Sequence, residues 1–335
     1  MKGLNKLALA TAVAAAPFAT QAMEPMSDQA MGETTGQAGV TIELSTEMSI
    51  DQIAYSQGAD TGSFLVNNLE VGGIGTDAAQ GFGDALDMEI NVDLPEQGDT
   101  LSTYGSKAGN DDGLGGEDLT LNDGDALISV QSYNEVDGEA QPVDLRMEMG
   151  TASDSNPDGE DAAFQLSDSD GSNTATLVSE LKADVFLTQL DIIARNDATD
   201  TGVGSDANGA LEIEAAFAVD DLDAQFDVAS VGIENMRMAG AGSLGVLKGA
   251  SQGSGEVLGG GAAIVSMDIG QGGTLSGTGP SETLRVNLAN FQADIWMPTI
   301  TVGNNGSTSA ERSIGSVGIS NLQVTNTEMS IYGRE

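Results

Sequence analysis

The residues best suited to chemistry form an acidic loop in the middle of the chain, Asp154-Ser-Asn-Pro-Asp-Gly-Glu-Asp161. Oxygen ligands at alternate positions with glycine at the sixth match the first half of a calcium loop, because a tight turn points successive side chains at one hard cation. The twelfth position is Gln165 rather than glutamate, and no helical pattern flanks the loop. A solvated acidic loop is the alternative. Calcium is the only cofactor suggested, with candidate ligands Asp154, Asn156, Asp158 and Asp161.

Three shorter motifs carry weaker indications. Asp168–Gly171 and Asp206–Gly209 are truncated versions of the same acid-and-glycine loop. Gly240–Gly245 fits the G-x-G-x-x-G pattern, but a dinucleotide site also needs a strand-helix unit and an acid about 20 residues further on. Here more glycine and serine follow, so a flexible linker explains the motif better. Trp296 is the single tryptophan, and its place at a strand end favours packing over sugar stacking.

The composition excludes several kinds of enzyme. The chain has no cysteine and no histidine. Cysteine nucleophiles, thiolate or histidine metal sites and Ser-His-Asp triads are therefore impossible. With 52 acidic residues, spacing alone does not identify a glycosidase carboxylate pair. We predict a non-enzymatic protein, and a carboxylate-pair hydrolase is a lower-ranked alternative.

The N-terminus has the three parts of a secretory signal. Lys2 and Lys6 form a basic segment, Leu7–Thr20 an apolar one, and small residues precede a cleavage site after Ala22. The apolar segment is shorter than the ~20 residues that span a bilayer as a helix, and no later segment approaches that length. We expect residues 1–22 to be a signal peptide and residues 23–335 to lack a transmembrane helix. The predicted location is the periplasm, the outer-membrane surface or the extracellular space.

The charge balance is strongly acidic, with 11 basic residues against the 52 acids. Loss of Lys2 and Lys6 with the signal would take the net charge from −41 to −43. Such a surface repels nucleic acid, so we expect no nucleic-acid partner. A chain of this length can bury enough apolar surface to fold without disulfides.

Apolar and polar residues alternate along several stretches, as is typical of half-buried strands. In Val40–Ile50 the apolar residues share one face, and Glu43 and Glu47 lie on the other. Helical periodicity is nearly absent after the signal, so the sequence predicts an all-β chain. The same alternation runs through Leu86–Leu94, Val143–Met149 and Leu211–Val219.

An eight-residue pattern recurs in which an amide interrupts the alternation. Ser230–Asn235 nearly repeats Ser316–Asn321, and the pentapeptide Thr46–Ile50 returns unchanged as Thr327–Ile331. These matches favour internal duplication. Because side chains alternate along a strand, a slip of one residue moves the apolar set to the opposite face, at a β-bulge or at a crossing between layers. We predict equivalent positions, with flanking apolar residues on opposite sides of the sheet, at Asn68, Asn235, Asn290 and Asn321.

The predicted architecture is an elongated antiparallel sheet or sandwich with repeated strand units and long acidic or glycine-rich loops. Residues 23–335 are expected to form a single extended β-rich domain with a glycine-rich insert at 240–280. An irregular β-solenoid is the alternative, although uneven spacing of the repeat argues against a fixed coil. An outer-membrane β-barrel also alternates in this way, but only 4% of the residues are aromatic and the connectors are long.

Three pieces of the chain resemble a family of exported, β-rich gammaproteobacterial proteins described as pilus-system proteins of the FilA type, otherwise of unknown function. They are the signal, the segment Met26–Leu44 with its Thr35-Gly-Gln-Ala-Gly-Val-Thr41 stretch, and Ile319–Ile331. The resemblance implies a surface or pilus-associated role and supplies no catalytic residues.

We therefore predict an exported structural or interaction protein with a protein partner at the cell surface or in a pilus system. A calcium-dependent binding module for glycan or protein is the alternative. An outer-membrane β-barrel or a carboxylate-pair hydrolase comes third. The sequence does not indicate the oligomeric state.

Overall fold

The regions that alternate in the sequence form strands. The computed structural model describes residues 39–56, 58, 61–74, 85–94, 100–101, 119–120, 124–132, 135–136, 139–150, 162–169, 171, 173–196, 209–251, 254–303 and 313–333. All four predicted strand regions are confirmed, and the all-β, antiparallel fold class is confirmed with them. No helix in these ranges is long and apolar enough to cross a membrane.

The strands vary from two to twenty residues. They are β1 (Val40–Thr46), β2 (Met48–Ser56), β3 (Ser63–Gly72), β4 (Leu86–Asp93), β5 (Thr100–Leu101), β6 (Leu119–Thr120), β7 (Ala126–Gln131), β8 (Glu135–Val136), β9 (Glu139–Ala140), β10 (Val143–Met149), β11 (Phe164–Ser167), β12 (Thr174–Val178), β13 (Glu180–Arg195), β14 (Ala210–Phe226), β15 (Val231–Glu234), β16 (Arg237–Ala239), β17 (Ala263–Gly272), β18 (Thr283–Val302) and β19 (Ser313–Ile331). Helix α1 (Leu244–Gly249) and a 3-10 helix (Glu256–Gly260) lie between β16 and β17.

Fifteen strands form one large sheet, which consists of eight neighbouring lanes of strands laid end to end. Every pairing is antiparallel, whereas the coils of a parallel β-helix solenoid stack as parallel strands, so the solenoid alternative is wrong for the described strands. The lanes, in order, are β1 with β2, β4 with β3, β7 with β10 and β11, β13 with β12, β14, β17 with β16 and β15, β18, and β19. The other strands in the described part of the chain form two two-stranded sheets, β5–β6 and β8–β9.

One face of the sheet is apolar from the first lane to the last. A row of directly paired residues crosses all eight lanes on this apolar face: Ile42, Ile90, Val130, Leu190, Ala215, Val265, Phe291 and Val324. The next row, one residue along each strand, lies on the polar face: Thr41, Asn91, Ser129, Asp191, Glu214, Ser266, Asn290 and Thr325. Along these two rows the apolar and polar side chains lie on opposite faces. The polar face also holds some apolar residues, such as the buried pair Leu127 and Ile193.

The polar face is the more buried of the two. In β13, Asp184, Gln189 and Asp191 are at most 3% exposed. On the apolar face of the same strand, Leu190 and Ile192 are only half-buried. This arrangement inverts the usual one, in which a sheet turns its apolar side toward the core and its polar side toward water.

The predicted slips occur, but they keep the apolar residues on one face. In β19, Ile319 pairs with Ile295 and Leu322 with Ala293. The two β18 residues are two positions apart, so they and their partners share a face. The prediction that flanking residues point to opposite sides is therefore wrong at Asn321: the bulge absorbs the extra residue, and the slip in the sequence preserves the face.

Three of the four predicted asparagines adopt a left-handed backbone conformation, although the pairing of β2 with β3 keeps one register on both sides of Asn68. Asn68, Asn235 and Asn321 have positive φ angles of 50°, 55° and 54°. Asparagine tolerates this left-handed conformation because its short polar side chain can hydrogen-bond locally. Asn290 is not among the positive-φ residues, and the residue skipped in the pairing of β17 with β18 is its neighbour, Ala289.

The glycine-rich stretch 240–280 contains a strand of the sheet. Ile264, Met267 and Ile269 of β17 pair with both β14 and β18, so this part of the stretch is central to the fold. The residues before β17 form α1 and the 3-10 helix, which pack on the sheet. Their contact surface is the core cluster Ala218, Ala239, Leu247, Ala250 and Val257, joined by Phe186, Leu258 and Trp296.

Candidate functional site

The four candidate calcium ligands, Asp154, Asn156, Asp158 and Asp161, lie outside the described residues. So does most of the Asp206–Gly209 motif. Within the described part of the chain, no three His, Cys, Asp or Glu side chains are grouped so that they could hold a metal ion.

Two neighbours of the predicted loop line a polar pocket over β2, β3 and β11, of about 620 Å³. Gln165 is buried, and its Oε1 accepts a hydrogen bond from Asn67 Nδ2 at 3.2 Å. The Asp168 carboxylate accepts from the backbone and side-chain nitrogens of Asn173, closing the turn between β11 and β12. Gln52 Nε2 donates to Asn67 Oδ1 at 2.8 Å. These side-chain amides hydrogen-bond to one another. Their hydrogen bonds stabilise the local fold and do not indicate a catalytic or binding role for the pocket.

The Gly240–Gly245 motif is a tight connector. Gly242 adopts φ +87°, and the helix that follows, α1, has six residues. The βαβ unit of a dinucleotide site is absent from the described residues, where every strand pairing is antiparallel. The linker interpretation therefore fits better.

Trp296 packs between the sheet and the excursion that contains α1. It borders the core cluster, and Lys248 Nζ lies 5.0 Å from the centre of its ring. This is a cation–π contact, which a cation over the face of an indole makes favourably. The indole ring is therefore part of the packed core, which is the role that the sequence favoured for it.

The most tightly held charges lie on the polar face in the middle lanes. Arg146 donates from Nε and Nη2 to the two carboxylate oxygens of Asp184, at 2.6 and 2.7 Å. Both side chains are at most 3% exposed. Such a bidentate pair is strong, but removal of either partner would leave an uncompensated buried charge. Beside this pair, Lys182 Nζ lies 3.3 Å from Oδ2 of the buried Asp221.

Excess carboxylates beside this pair have altered proton affinities. Burial, with the nearby Asp223 carboxylate, raises the pKa of Glu180 to about 7. Burial also raises the pKa of Asp223, and Asp221 adds to this effect. The pKa of Glu234 is raised for similar reasons, first burial and then Asp223. Glu180 is therefore largely protonated in the folded protein below neutral pH.

Two aspartates, the half-buried Asp223 and the buried Asp294, hold the backbone where the register slips. Asp223 Oδ1 accepts the backbone N–H of Asn235 at 2.7 Å, and Asp294 Oδ1 accepts that of Asn321. Asn321 is a bulge residue within β19, and Asn235 lies in the break between β15 and β16, so neither amide is in step with the ladder. Asp294 Oδ2 also accepts from the backbone N–H of Leu244 at 2.8 Å, which ties the start of α1 to the sheet.

Sequence reasoning missed these buried acids. Asp184, Asp191 and Asp294 are at most 1% exposed, yet among 52 acids nothing in the residue types distinguishes them. One usable signal was position, because Asp221 interrupts the apolar alternation of Phe217–Ala224, a looser copy of the recurring eight-residue pattern. Lys182, Arg195 and Arg285 form ion pairs with strand carboxylates. Arg237 Nη1 instead donates to the backbone carbonyl of Leu247.

The feature with the clearest capacity to bind something is the exposed apolar surface at the two outer lanes. In β1 and β2 the exposed apolar residues are Val40, Ile42, Leu44, Met48, Ile53 and Tyr55. In and beside β19 they are Ile314, Val317, Ile319, Met329, Ile331 and Tyr332. Each outer lane is hydrogen-bonded to one neighbouring lane only among the described strands. Clusters of exposed apolar residues of this kind mark contact surfaces in native proteins.

Comparison with known protein families matches the N-terminal part of the chain. Residues 1–94 are similar to a family of unknown function, DUF6160. The matched region covers the predicted signal and reaches past the end of β4. No curated protein and no solved structure matches the chain.

Proposed function

We propose that the chain is an exported structural or interaction protein, without enzymatic activity, that acts at the cell surface or in association with a pilus system. The observation that carries this proposal is the pair of apolar outer lanes. Exposed apolar side chains in the first and last lanes favour a covering partner, because their contact with water is unfavourable. The proposed location rests on two features of the sequence. These are the secretory features of residues 1–22 and the resemblance of Met26–Leu44 to exported proteins.

Fractionation of native cells, with and without the neighbouring pilus components, tests the location. We expect the protein outside the cytoplasm, and N-terminal sequencing should show a chain that begins at Met23. A full-length protein that remains in the cytoplasm would overturn the proposal.

Photo-crosslinking in the same cells tests the interaction. The outer-lane positions Ile42 and Ile319 should each give crosslinked products when replaced by a photoreactive residue. Val228, which is 76% exposed in the turn between β14 and β15, is the matched control. Equal crosslinking from all three positions would remove the support for a contact surface.

A second candidate is favoured by one observation, the inverted polarity of the sheet. Buried Asp184 and Asp191 on one face, against half-buried Leu190 and Ile192 on the other, suit a protein whose apolar face contacts lipid hydrocarbon. Flotation with neutral phosphatidylcholine vesicles distinguishes the two candidates. Co-flotation would favour the lipid contact, and recovery of free protein at the bottom of the gradient would favour a protein partner.

A further inference from the structure

We propose that the partner of the outer lanes is a second copy of this chain, with β19 of one protomer pairing antiparallel with β1 and β2 of the next. This inference rests on the proposed function, because it names the occupant of the same surface. It is carried by the direction, length, pattern and charge of the two lanes.

The direction and the length are compatible. Seven antiparallel steps separate the first lane from the eighth, so β19 runs antiparallel to β1 and β2 when the sheet is continued from one copy to the next. The first lane extends from Val40 to Ser56 and the last from Ser313 to Ile331. Two strands of nearly equal length can therefore pair along their whole extent.

The two lanes also lack two of the features that keep sheet edges apart, namely lysine and proline. Proteins protect exposed edges with lysine or proline on the outer strand. Neither β1, β2 nor β19 contains a lysine, an arginine or a proline. Free N–H and C=O groups along such a strand are a template for another strand.

The interruptions in the two lanes fix one register. Apolar residues of β2 step by three positions from Ile50 to Ile53, and those of β19 step by three from Ile319 to Leu322. Alignment of the two steps places Ile319 opposite Ile53 and Leu322 opposite Ile50. Asn326, at φ +52°, then takes the place of one unpaired residue. The remaining apolar-face pairs are Val317 with Tyr55, Val324 with Met48, Thr327 with Thr46, Met329 with Leu44, and Ile331 with Ile42.

The charges agree with this register. Like charges directly opposite one another destabilise a pair of strands. On the polar face the alignment places Glu43 opposite Ser330, Glu47 opposite Thr325 and Glu328 opposite Ser45. No acid faces an acid, although the chain carries 52 of them. The contact is heterologous, so it builds a closed ring or an open filament of copies.

Cysteine crosslinking of the mature chain tests the register, because the natural sequence has no cysteine. The variants Ile53→Cys and Ile319→Cys, mixed under mild oxidation, should form a disulfide-linked pair of chains. Ile53→Cys mixed with Leu322→Cys is the control, because a disulfide requires Cα atoms within about 7 Å and this pair is out of register. Failure of the first mixture, or equal yield from both, would overturn the proposed register.

Lysine variants test the heterologous contact without altering the core, because Ile53 is 45% exposed and Ile319 is 37% exposed. The wild-type chain should associate with increasing concentration in sedimentation velocity. Ile53→Lys and Ile319→Lys should each remain monomeric, since each blocks one side of every contact. Their mixture should form dimers and nothing larger, because it restores a single unblocked contact.

Two outcomes would refute the second copy as the occupant. One is a wild-type chain that stays monomeric at about 100 µM. The other is a double variant, Ile53→Cys with Ile319→Cys, whose disulfide forms within a single chain. Either result leaves the proposed function standing if Ile42 and Ile319 still crosslink to a different surface protein in cells. A cytoplasmic location would instead refute the proposed function and leave the self-association to be judged by sedimentation.

Discussion

At the residue scale, the polar face places ion pairs where water does not reach. Arg146 and Asp184 are at most 3% exposed and bond through both carboxylate oxygens. Both charges have lost their hydration, so the attraction between them mainly offsets the cost of removing each charge from water. The pair therefore sets the orientation of β10 against β13 more than it adds net stability.

Replacement of Asp184 by alanine should lower the free energy of unfolding by about 3–5 kcal/mol, because the Arg146 guanidinium would stay buried without its acceptor. Chemical denaturation measures the change. The double variant Arg146→Met with Asp184→Leu should recover much of the loss. Arg285→Ala is the control, since its partner Glu328 has a side chain that is 49% exposed. There the loss should be below about 1 kcal/mol.

Glu180 gives the fold a dependence on pH. Its pKa is raised to about 7 in the folded protein, whereas an unfolded glutamate titrates near 4.5. Between these values the folded state binds more protons, so its stability is highest at the acid end and falls as the pH rises toward 7. The expected loss attributable to this one group is about 1–3 kcal/mol.

The variant Glu180→Gln should lose less stability than the wild type between pH 5 and pH 8, because its side chain does not ionise. Denaturation midpoints at several pH values measure this. Glu47→Gln removes the same charge from an exposed position between β1 and β2 and serves as the control for the loss of one carboxylate. A Glu180→Gln profile parallel to the wild-type profile would show that Glu180 does not carry the effect.

At the element scale, the bulges keep the apolar residues on one face of the sheet although their alternation in the sequence slips by one residue. Bulges at Asp220 in β14, near Thr188 in β13 and at Asn321 in β19 each absorb one residue. Without them, the apolar residues after each slip would turn toward the buried polar face. Asparagine suits the positive φ at such a point, and Asp294 accepts the displaced amide of Asn321.

Asn321→Ala should destabilise the protein by about 1–2 kcal/mol, because alanine pays the full steric cost of the left-handed conformation. Asn321→Gly should be nearly neutral, since glycine adopts positive φ freely. Thermal or chemical unfolding compares the two. Asn290→Ala serves as the control, as Asn290 is not among the positive-φ residues. Equal losses for alanine and glycine at position 321 would show that the conformation is not what matters there.

At the scale of the whole molecule, the acidic charge opposes compactness. The chain has a net charge of −41, and self-repulsion of such a charge destabilises the folded state. Salt weakens that repulsion, because the Debye length shortens from ~10 Å at 0.1 M to ~3 Å at 1 M.

Molar NaCl should therefore raise the Tm, and a gain of about 1 kcal/mol corresponds to roughly 2–4 °C for a chain of moderate size. Thermal melting in low and high salt measures this. At pH 4 many carboxylates are protonated, so the response to salt should shrink. A response of the same size at pH 4 would assign the effect to something other than charge.

Millimolar CaCl2 should stabilise the protein more than matched MgCl2 only if Asp154, Asn156, Asp158 and Asp161 converge on one ion, because binding confined to the folded state stabilises it by mass action. The variant Asp158→Asn should then lose the difference. Equal melting in the two salts would contradict the calcium loop and leave only diffuse screening.

The sequence by itself determined the fold class and the location of the strands. Alternation in Val40–Ile50, Leu86–Leu94 and Val143–Met149 is a local property, set by the period of an extended chain, so it can be read without knowledge of the neighbours. The recurring eight-residue pattern also indicated where the alternation of apolar and polar residues is interrupted. Strand β17 was missed, because the glycines around it resemble a linker and its partners β14 and β18 are distant in the chain.

The tertiary structure decided which face is buried and what each slip means. A phase slip in the sequence is consistent with a change of face or with a bulge, and only the pairing of Ile319 with Ile295 and of Leu322 with Ala293 distinguishes them. Likewise, the burial of Asp184 depends on Arg146, which lies 38 residues away in the chain. Burial and pairing are relations between strands, so they arise only when the lanes of the sheet come together.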